Sequence, residues 1–143
     1  MFYTGPFELK PATSGSGAVD LSADVAGEIP PWSRQLVPTG IQIAMNPGQV
    51  GLIRARSGLS VKGLDIGAGV IDSDFRGMIK VLLINSSDSS FTFQRGDRIA
   101  QLIIVQHADY FQLQHVETLP STDHNNRGVN GFGSTGLKQL ASD

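Results

Sequence analysis

Short apolar runs separated by turn residues recur along this chain and predict a protein built almost entirely of β-strands. Two stretches, Ile41–Ile43 and Phe91–Gln94, alternate apolar and polar residues with period two, as strands with one buried face do. Two others, Val81–Ile84 and Leu102–Val105, are continuous and predict strands buried on both faces. The runs lie at Leu36–Val37, Ile41–Ile43, Val50–Ile53, Ile79–Ile84, Phe91–Phe93, Ile99–Val105 and Tyr110–Val116.

Turn chemistry separates these runs and leaves little room for helices. Asn46–Gly48, Ser86–Asp88 and Arg95–Asp97 carry the glycine, proline, serine and aspartate residues that favour turns. Only Ser57–Leu64 is capable of forming a short helix. Many short strands without alternating helices favour a sandwich, barrel or jelly roll, so the predicted fold class is all-β.

Composition narrows the functional classes. A chain of 143 residues is one domain, and a net charge of −2 with 17% charged residues does not suggest a nucleic-acid-binding surface or a membrane patch. The absence of cysteine excludes a disulfide scaffold, thiolate metal ligands and a cysteine nucleophile. We see no signal peptide and no apolar run near the ~20 residues of a membrane helix. We therefore predict a soluble, cytoplasmic protein, with a nuclear or viral setting left open.

The β pattern stops near Leu119, which predicts a core over residues 1–119 and a C-terminal arm over 120–143. Arg127–Gly136 holds four glycines, whose backbone amides can close around phosphate oxygens, while Arg127 can pair with them bidentately. Phe132 is suited to stacking on a base. Extended, residues 120–131 span about 40 Å, enough to cross onto a neighbouring subunit. A disordered tail is the alternative interpretation.

Two upstream segments suggest the same ligand. In Ala18–Leu21 the Asp20 carboxylate is placed to hold the water shell of a hydrated Mg²⁺, or else caps a turn. Arg56–Leu59 combines a guanidinium, the Ser57 hydroxyl and the flexible Gly58 at a predicted helix start, where anions bind. The alternative for that segment is a serine N-cap beside a surface arginine.

The densest motif is Gly69–Gly77, in which two glycines bracket two carboxylates. A tight hairpin there would expose main-chain groups able to read a pyrimidine edge. Asp72 follows the apolar Val70 and Ile71, so we predict that it is partly shielded and acts as a general base toward water. The alternative is an ordinary β-turn, in which aspartate and glycine are common for conformational reasons, although such a turn does not explain the apolar residues beside the acids.

A further turn runs into a strand at Gly96–Leu102. Asp97 and Arg98 are interpreted as structural, closing the turn or forming an ion pair. Gln101 is a candidate donor to a phosphate, with an ordinary solvent-facing residue as the alternative. The sequence signatures of other nucleotide-binding, serine-nucleophile and metal-binding sites are absent. The chain has no P-loop, no Rossmann glycine motif, no G-x-S-x-G signature and no histidine spacing suited to a metal.

Taken together and in this order, the segments resemble the five motifs of the trimeric dUTP pyrophosphatase (dUTPase) family. The resemblance runs from about Gly17 to Gly136. The matching residues are Ala18–Leu21, Arg56–Leu59, Gly69–Gly77, Gly96–Leu102, Arg127–Gly128 and Gly131–Gly136. It implies a β jelly-roll protomer, a distorted barrel with one short helix, that forms a homotrimer with shared active sites and an arm closing over each.

The resemblance also implies a reaction and residue roles. Asp72 would activate water for attack on the α-phosphate of dUTP, giving dUMP and pyrophosphate, with Asp20 holding Mg²⁺ through water. Phosphate contacts would come from Arg56, Ser57, Gly58 and Gln101, with Arg127, Gly133, Ser134 and Thr135 closing on the γ-phosphate. Gly69, Val70 and Ile71 would read uracil through the main chain, Phe75 would contact the deoxyribose, and Phe132 would stack on the base. Such an enzyme keeps uracil out of DNA and supplies dUMP for dTMP synthesis.

Two departures from the family pattern and two alternative functions qualify this prediction. Phe75 stands where the family usually has tyrosine, and Asn130 where it usually has glycine. A dCTP deaminase is similar in fold, but the position of its proton-shuttling glutamate is Leu82 here, which cannot shuttle a proton. A regulatory module that signals its nucleotide-bound state to a protein partner is the alternative from another functional class.

Overall fold

A computed structural model describes residues 1–107 and 114–118 of the chain. The chain divides into two units, Met1–Phe111 and Gln112–Asp143, and every helix and strand below lies in the first. The strands are β1 (Phe2–Thr4), β2 (Val19–Ser22), β3 (Gly27–Ile29), β4 (Arg34–Pro38), β5 (Gln42–Ala44), β6 (Gln49–Arg54), β7 (Leu64–Gly67), β8 (Val70–Asp72), β9 (Lys80–Asn85), β10 (Phe91–Phe93) and β11 (Arg98–Gln106). The helix α1 is Ser57–Ser60.

The strands form four antiparallel sheets in which neighbours in space are rarely neighbours in sequence. The largest sheet has the order β2-β11-β6-β8, the next β4-β9-β7, and two pairs, β1-β5 and β10-β3, complete the set. Such crossed strand order is typical of jelly-roll and Greek-key proteins. The prediction of an all-β protein with one short helix is confirmed.

One hydrophobic core lies between the sheets. Its largest fully buried apolar side chains are Phe93, Leu21, Ile29, Ile41, Ile79, Leu83, Ile99, Leu102, Val37 and Val81. They come from most of the strands, so the core ties the sheets together. Within the part of the chain that the structure describes, no helix is long and apolar enough to cross a membrane.

The two continuous apolar runs are not buried on both faces of the single chain. In β9, Val81 and Leu83 enter the core, whereas Leu82 and Ile84 on the other face are half-buried. In β11, Val105 is 37% exposed. The prediction was wrong here because, among the residues that the structure describes, no layer covers the outer face of these antiparallel sheets.

The helix is shorter than predicted. It begins after Arg56, which is the N-cap residue but makes no side-chain cap hydrogen bond, and it ends at Ser60. Gly63 then adopts φ +84°, a left-handed conformation that glycine accepts at little cost and that ends the helical path. The predicted last turn, up to Leu64, is therefore a turn leading into β7.

A buried asparagine joins the loops at one end of the core. The Asn85 side chain is fully buried, and its Nδ2 donates to the carbonyl oxygens of Ile29 (3.0 Å), Pro30 (3.1 Å) and Ser89 (2.8 Å). Its Oδ1 accepts from the Ser87 backbone N–H and hydroxyl, at 3.0 and 2.7 Å. One side chain thus fixes both the β3–β4 and the β9–β10 loop.

We expect Asn85→Ala to lower the free energy of unfolding by about 3 kcal/mol, because several buried polar groups lose their partner at once. Urea unfolding followed by circular dichroism measures this. Asn46→Ala, at an exposed position, is the matched control and should change the free energy of unfolding by less than about 1 kcal/mol. An equal effect of the two substitutions would contradict the assigned role of Asn85.

Candidate active site

Residues from three separate motifs meet in one pocket. It is lined by Asp20, Arg56, Ser57, Gly58, Leu59, Lys62 and Gln101, and we refer to it as the Arg56 pocket. The sheet brings these residues together because β11 lies between β2 and β6: Gln101 is paired with Asp20 on one side and with Arg54, just before Arg56, on the other. Strand pairing therefore converts three distant sequence motifs into neighbours.

Ion pairs fix the orientation of the central arginine in this pocket. Arg56 Nε lies 2.9 Å from Asp20 Oδ1, and Arg98 Nη1 lies 3.1 Å from Asp20 Oδ2. Arg56 Nη1 also donates to the Arg98 carbonyl oxygen at 2.9 Å. Two guanidinium nitrogens are thus held by the protein, and Nη2 makes no hydrogen bond with any described residue, so it remains available to an anion.

Gln101 is held in a similar way. Its Nε2 donates to the Ala55 carbonyl oxygen at 2.8 Å, and the side chain is partly buried. An amide nitrogen carries two hydrogens, so one remains to donate into the Arg56 pocket. The structure places Gln101 with Arg56 and Asp20, as predicted, rather than on an ordinary solvent-facing strand surface.

The turn before β11 has the structural roles that the sequence suggested. Asp97 Oδ2 accepts from the Gln94 backbone N–H at 2.8 Å and so closes the turn, while Arg98 forms its ion pair with Asp20. Lys62, in contrast, was missed by the sequence analysis. It lies within the segment predicted to be helical, in the turn that follows α1, and it lines the pocket together with Gly58 and Leu59.

A second pocket contains the predicted general base. It is lined by Val70, Ile71, Asp72, Phe75, Met78, Ile79 and Lys80, and we refer to it as the Asp72 pocket. The predicted hairpin across this motif is wrong, since β8 pairs with β6 in one sheet and β9 pairs with β4 and β7 in another. The segment between β8 and β9 therefore crosses from one sheet to the other.

Local hydrogen bonds hold the crossing segment in shape. The Phe75 N–H donates to the Asp72 carbonyl oxygen at 3.1 Å, and Arg76 Nη1 donates to the carbonyl oxygens of Ser73 (2.7 Å) and Phe75 (2.8 Å). The Asp72 carboxylate itself is exposed in the single chain, so the predicted partial shielding is wrong. Shielding of this group requires something beyond the core of one protomer.

Two glycines in this motif are required by close packing. Gly69 has φ +104°, and a Cβ there would lie 2.9 Å from the Ile53 carbonyl oxygen. A Cβ on Gly77 would lie 2.6 Å from Cζ of Phe75. The Phe75 ring is thereby pressed against Gly77 and stays 40% exposed beside Asp72.

The two pockets lie at opposite ends of β6. Asp72 is paired with Val50, near the start of the strand, whereas Arg54, at its end, is paired with Gln101. Four residues of strand separate the pockets by about 13 Å. A single chain therefore does not place Asp72 against an anion held by Arg56.

The remaining predicted site residues, Arg127, Phe132, Gly133, Ser134 and Thr135, lie outside the described residues. Among the residues that are described, no group of three or more His, Cys, Asp or Glu side chains converges as a metal site. Asp20 is the one carboxylate that lines the Arg56 pocket.

An all-β core, a pocket of fixed guanidinium and amide donors, and a separate carboxylate are features of a nucleotide pyrophosphohydrolase. Comparison with known proteins identifies the family. The family model described as dUTPase matches residues 8–136, and the chain belongs to the dUTPase family. The sequence-based prediction of an enzyme, a dUTP diphosphatase, is confirmed by this membership.

Relatives and solved structures agree with this assignment. The chain is 47% identical to the deoxyuridine 5'-triphosphate nucleotidohydrolase of avian adenovirus 8, over 92% of this chain and 80% of the relative. Its identity to the cowpox virus protein of the same name is 50%, over 87% and 82%. EIAV dUTPase superposes with a TM-score of 0.72 at 28% identity, over 82% of this chain and 98% of that one.

The dUTPase of Staphylococcus bacteriophage 80alpha, solved with dUPNHPP, superposes with a TM-score of 0.82 at 25% identity, over 92% of each chain. The β jelly-roll prediction is thereby confirmed.

Proposed function

We propose that this protein hydrolyses dUTP to dUMP and pyrophosphate by Mg²⁺-assisted attack of water on the α-phosphate, with Asp72 as the general base. The observation that carries the proposal is the convergence of Asp20, Arg56 and Gln101 in one pocket through strand pairing. The reaction keeps uracil out of DNA and supplies dUMP for dTMP synthesis. A cytoplasmic location stays a prediction.

Asp72 is suited to remove a proton from water. Its carboxylate ends β8 and is exposed on the single chain, so a water molecule can approach it. The water oxygen attacks the α-phosphorus as its proton moves to Asp72, and the bond from that phosphorus to the bridging oxygen breaks. The electron pair leaves with pyrophosphate, and dUMP remains.

The Arg56 pocket is suited to hold the phosphate chain. Arg56 offers Nη2, Ser57 its hydroxyl and Gln101 its second amide hydrogen. The ion pair with Asp20 holds the Arg56 side chain in place, and the hydrogen bond to the Ala55 carbonyl oxygen holds that of Gln101. Donors fixed before the substrate arrives stabilise developing charge without reorganising. In our proposal Arg127, Ser134 and Thr135 then close on the γ-phosphate.

The residues present fit a Mg²⁺ ion that the phosphates bind directly. Asp20 Oδ2 accepts a charge-assisted hydrogen bond from Arg98, Oδ1 forms an ion pair with Arg56, and carboxylate oxygens retain lone pairs for ordered water. Mg²⁺ keeps several of its waters and binds through few carboxylates plus substrate phosphates, which agrees with a single nearby carboxylate. When bound, the ion neutralises charge on the triphosphate.

In our proposal the Asp72 pocket and the arm recognise the base and the sugar of the substrate. The backbone of Gly69, Val70 and Ile71 would read uracil, leaving no space for a 5-methyl group. Phe75, whose ring lies close to Gly77, presents a ring edge that would exclude a 2′-hydroxyl. Phe132 would stack on the uracil, a contact worth about 1–3 kcal/mol.

The separation of the two pockets supports a homotrimer with shared active sites. About 13 Å of β6 lies between the pockets, too far for Asp72 to activate a water on a phosphate held by Arg56 of the same chain. We propose that each site pairs the Arg56 pocket of one subunit with the Asp72 pocket of a second, and that the arm, residues 120–143, closes it.

The test is a substrate panel. Purified protein with Mg²⁺ is mixed separately with dUTP, dTTP, dCTP and UTP, and the products are separated. We expect dUMP and pyrophosphate from dUTP alone. Tight binding of dUTP without turnover would favour the regulatory alternative. Ammonia released from dCTP would favour deamination. Leu82 on β9 argues against that outcome because its apolar side chain, paired across the sheet with Leu36 and Gly67, cannot shuttle a proton.

A further inference from the structure

We infer that Lys62 binds the phosphate chain of the substrate and makes the enzyme prefer a triphosphate over a monophosphate; the inference rests on the proposed function. Lys62 lines the Arg56 pocket together with the proposed phosphate contacts. No sequence motif singled it out.

The backbone around Lys62 is held by hydrogen bonds, so the point from which its flexible side chain starts is set before any ligand arrives. The Lys62 N–H donates to the Leu59 carbonyl oxygen at 2.9 Å, which closes the last turn after α1. Gly63 follows in a left-handed conformation, and its carbonyl oxygen accepts from the Ser86 N–H at 2.8 Å. A Cβ on Gly63 would lie 3.0 Å from that of Ser87, so the loops touch.

Charge balance gives Lys62 a role that Arg56 does not fill. Among the residues lining the pocket, Asp20 and Arg56 are ion-paired at 2.9 Å and cancel each other. Lys62 makes no ion pair with a described residue, because the one carboxylate in the lining is already engaged by Arg56 and Arg98. Its ammonium group therefore supplies the net positive charge of the lining.

A flexible lysine that carries the excess charge favours the ligand with more negative charge. The Coulomb attraction scales with the product of the charges, and a nucleoside triphosphate carries about twice the charge of a monophosphate. The ammonium group is a compact charge on a long stem, which suits a phosphate chain better than a planar base or a sugar. Lys62 is thus a specificity-determining contact for the phosphate chain.

The experiment measures binding of two ligands to the full-length protein without Mg²⁺, because a bound Mg²⁺ would cancel the difference in charge between them: the α,β-imido analogue of dUTP, and dUMP. Lys62→Met removes the charge and keeps the length, and Lys62→Arg restores the charge. Lys10→Met is the matched control, since Lys10 is paired with Glu8 at 2.7 Å and does not line the Arg56 pocket. Calorimetry gives each dissociation constant.

We expect Lys62→Met to weaken binding of the imido analogue by about tenfold, the loss of one charge-assisted contact. Binding of dUMP should change far less, Lys62→Arg should recover most of the affinity, and Lys10→Met should match the wild type. Unchanged affinity for the analogue in Lys62→Met, or an equal loss for both ligands, would overturn the inference.

These dissociation constants, taken together with the substrate panel, separate this inference from the proposed reaction. If the wild-type protein fails to hydrolyse dUTP while Lys62→Met still weakens binding of the analogue selectively, the proposed function fails and the Lys62 contact stands. If the wild type hydrolyses dUTP normally and Lys62→Met has no selective effect, the proposed function stands and the Lys62 inference fails.

Discussion

Replacing Asp72 by asparagine is expected to lower kcat for dUTP by about 100- to 10,000-fold, the usual worth of a positioned general base. Asparagine keeps the size of the side chain but cannot accept a proton from water at neutral pH. Asp72 is exposed and does not belong to the hydrophobic core, so the fold and the subunit assembly should survive. Steady-state kinetics and size-exclusion chromatography measure both.

The matched control for this substitution is Asp74→Asn, two residues along the same crossing segment. Asp74 is also exposed but does not line the Asp72 pocket. We expect it to retain turnover near the wild-type level. Nucleotide binding should persist in both variants, because the Arg56 pocket is untouched. Loss of turnover in Asp74→Asn with normal turnover in Asp72→Asn would move the general base to the second carboxylate.

Truncation after Leu119 is expected to leave a folded core that is nearly inactive. The fully buried core residues that the structure describes lie between Leu21 and Leu102, so removing residues 120–143 should leave the unfolding midpoint almost unchanged. The enzyme would lose Arg127, Phe132, Ser134 and Thr135 together. Since one preorganised donor to a transition state is worth about 100- to 1,000-fold, kcat/KM should fall by at least that factor.

A second truncation, after Gly136, separates the glycine-rich segment from the rest of the arm. It removes only residues 137–143 and should keep activity near that of the full chain. Thermal unfolding and kcat/KM for dUTP are measured on both truncated proteins. Full activity of the protein that ends at Leu119 would refute the proposed role of the arm.

The sequence by itself determined the fold class and predicted the chemistry of the site. Period-two alternation, as in Phe91–Gln94, is a local property of each strand, so it can be read without knowing which strand lies beside it. The charged and polar side chains of Asp20, Arg56 and Gln101 within turn-bounded motifs likewise predicted phosphate chemistry. The structure then placed these three residues in one pocket.

The tertiary structure alone decided which strands pair. Proximity in sequence predicted that the strands flanking Asp72 form a hairpin, but β8 joins β6 and β9 joins β4 and β7. Pairing depends on the match between distant strands and on core burial, and neither is a property of one segment. The same reason explains why Leu82 and Ile84 are only half-buried: an apolar run does not show whether a second layer covers it.

Contacts between distant segments also set the electrostatics of the site. The sequence predicted that Asp20 holds Mg²⁺ through water and that Arg56 contacts a phosphate, but not that the two pair with each other while Arg98 holds the other carboxylate oxygen. Lys62, in the turn between α1 and the left-handed Gly63, lines the same pocket. Residue types fix which chemistry is available, whereas long-range packing fixes which charges cancel and which remain for the substrate.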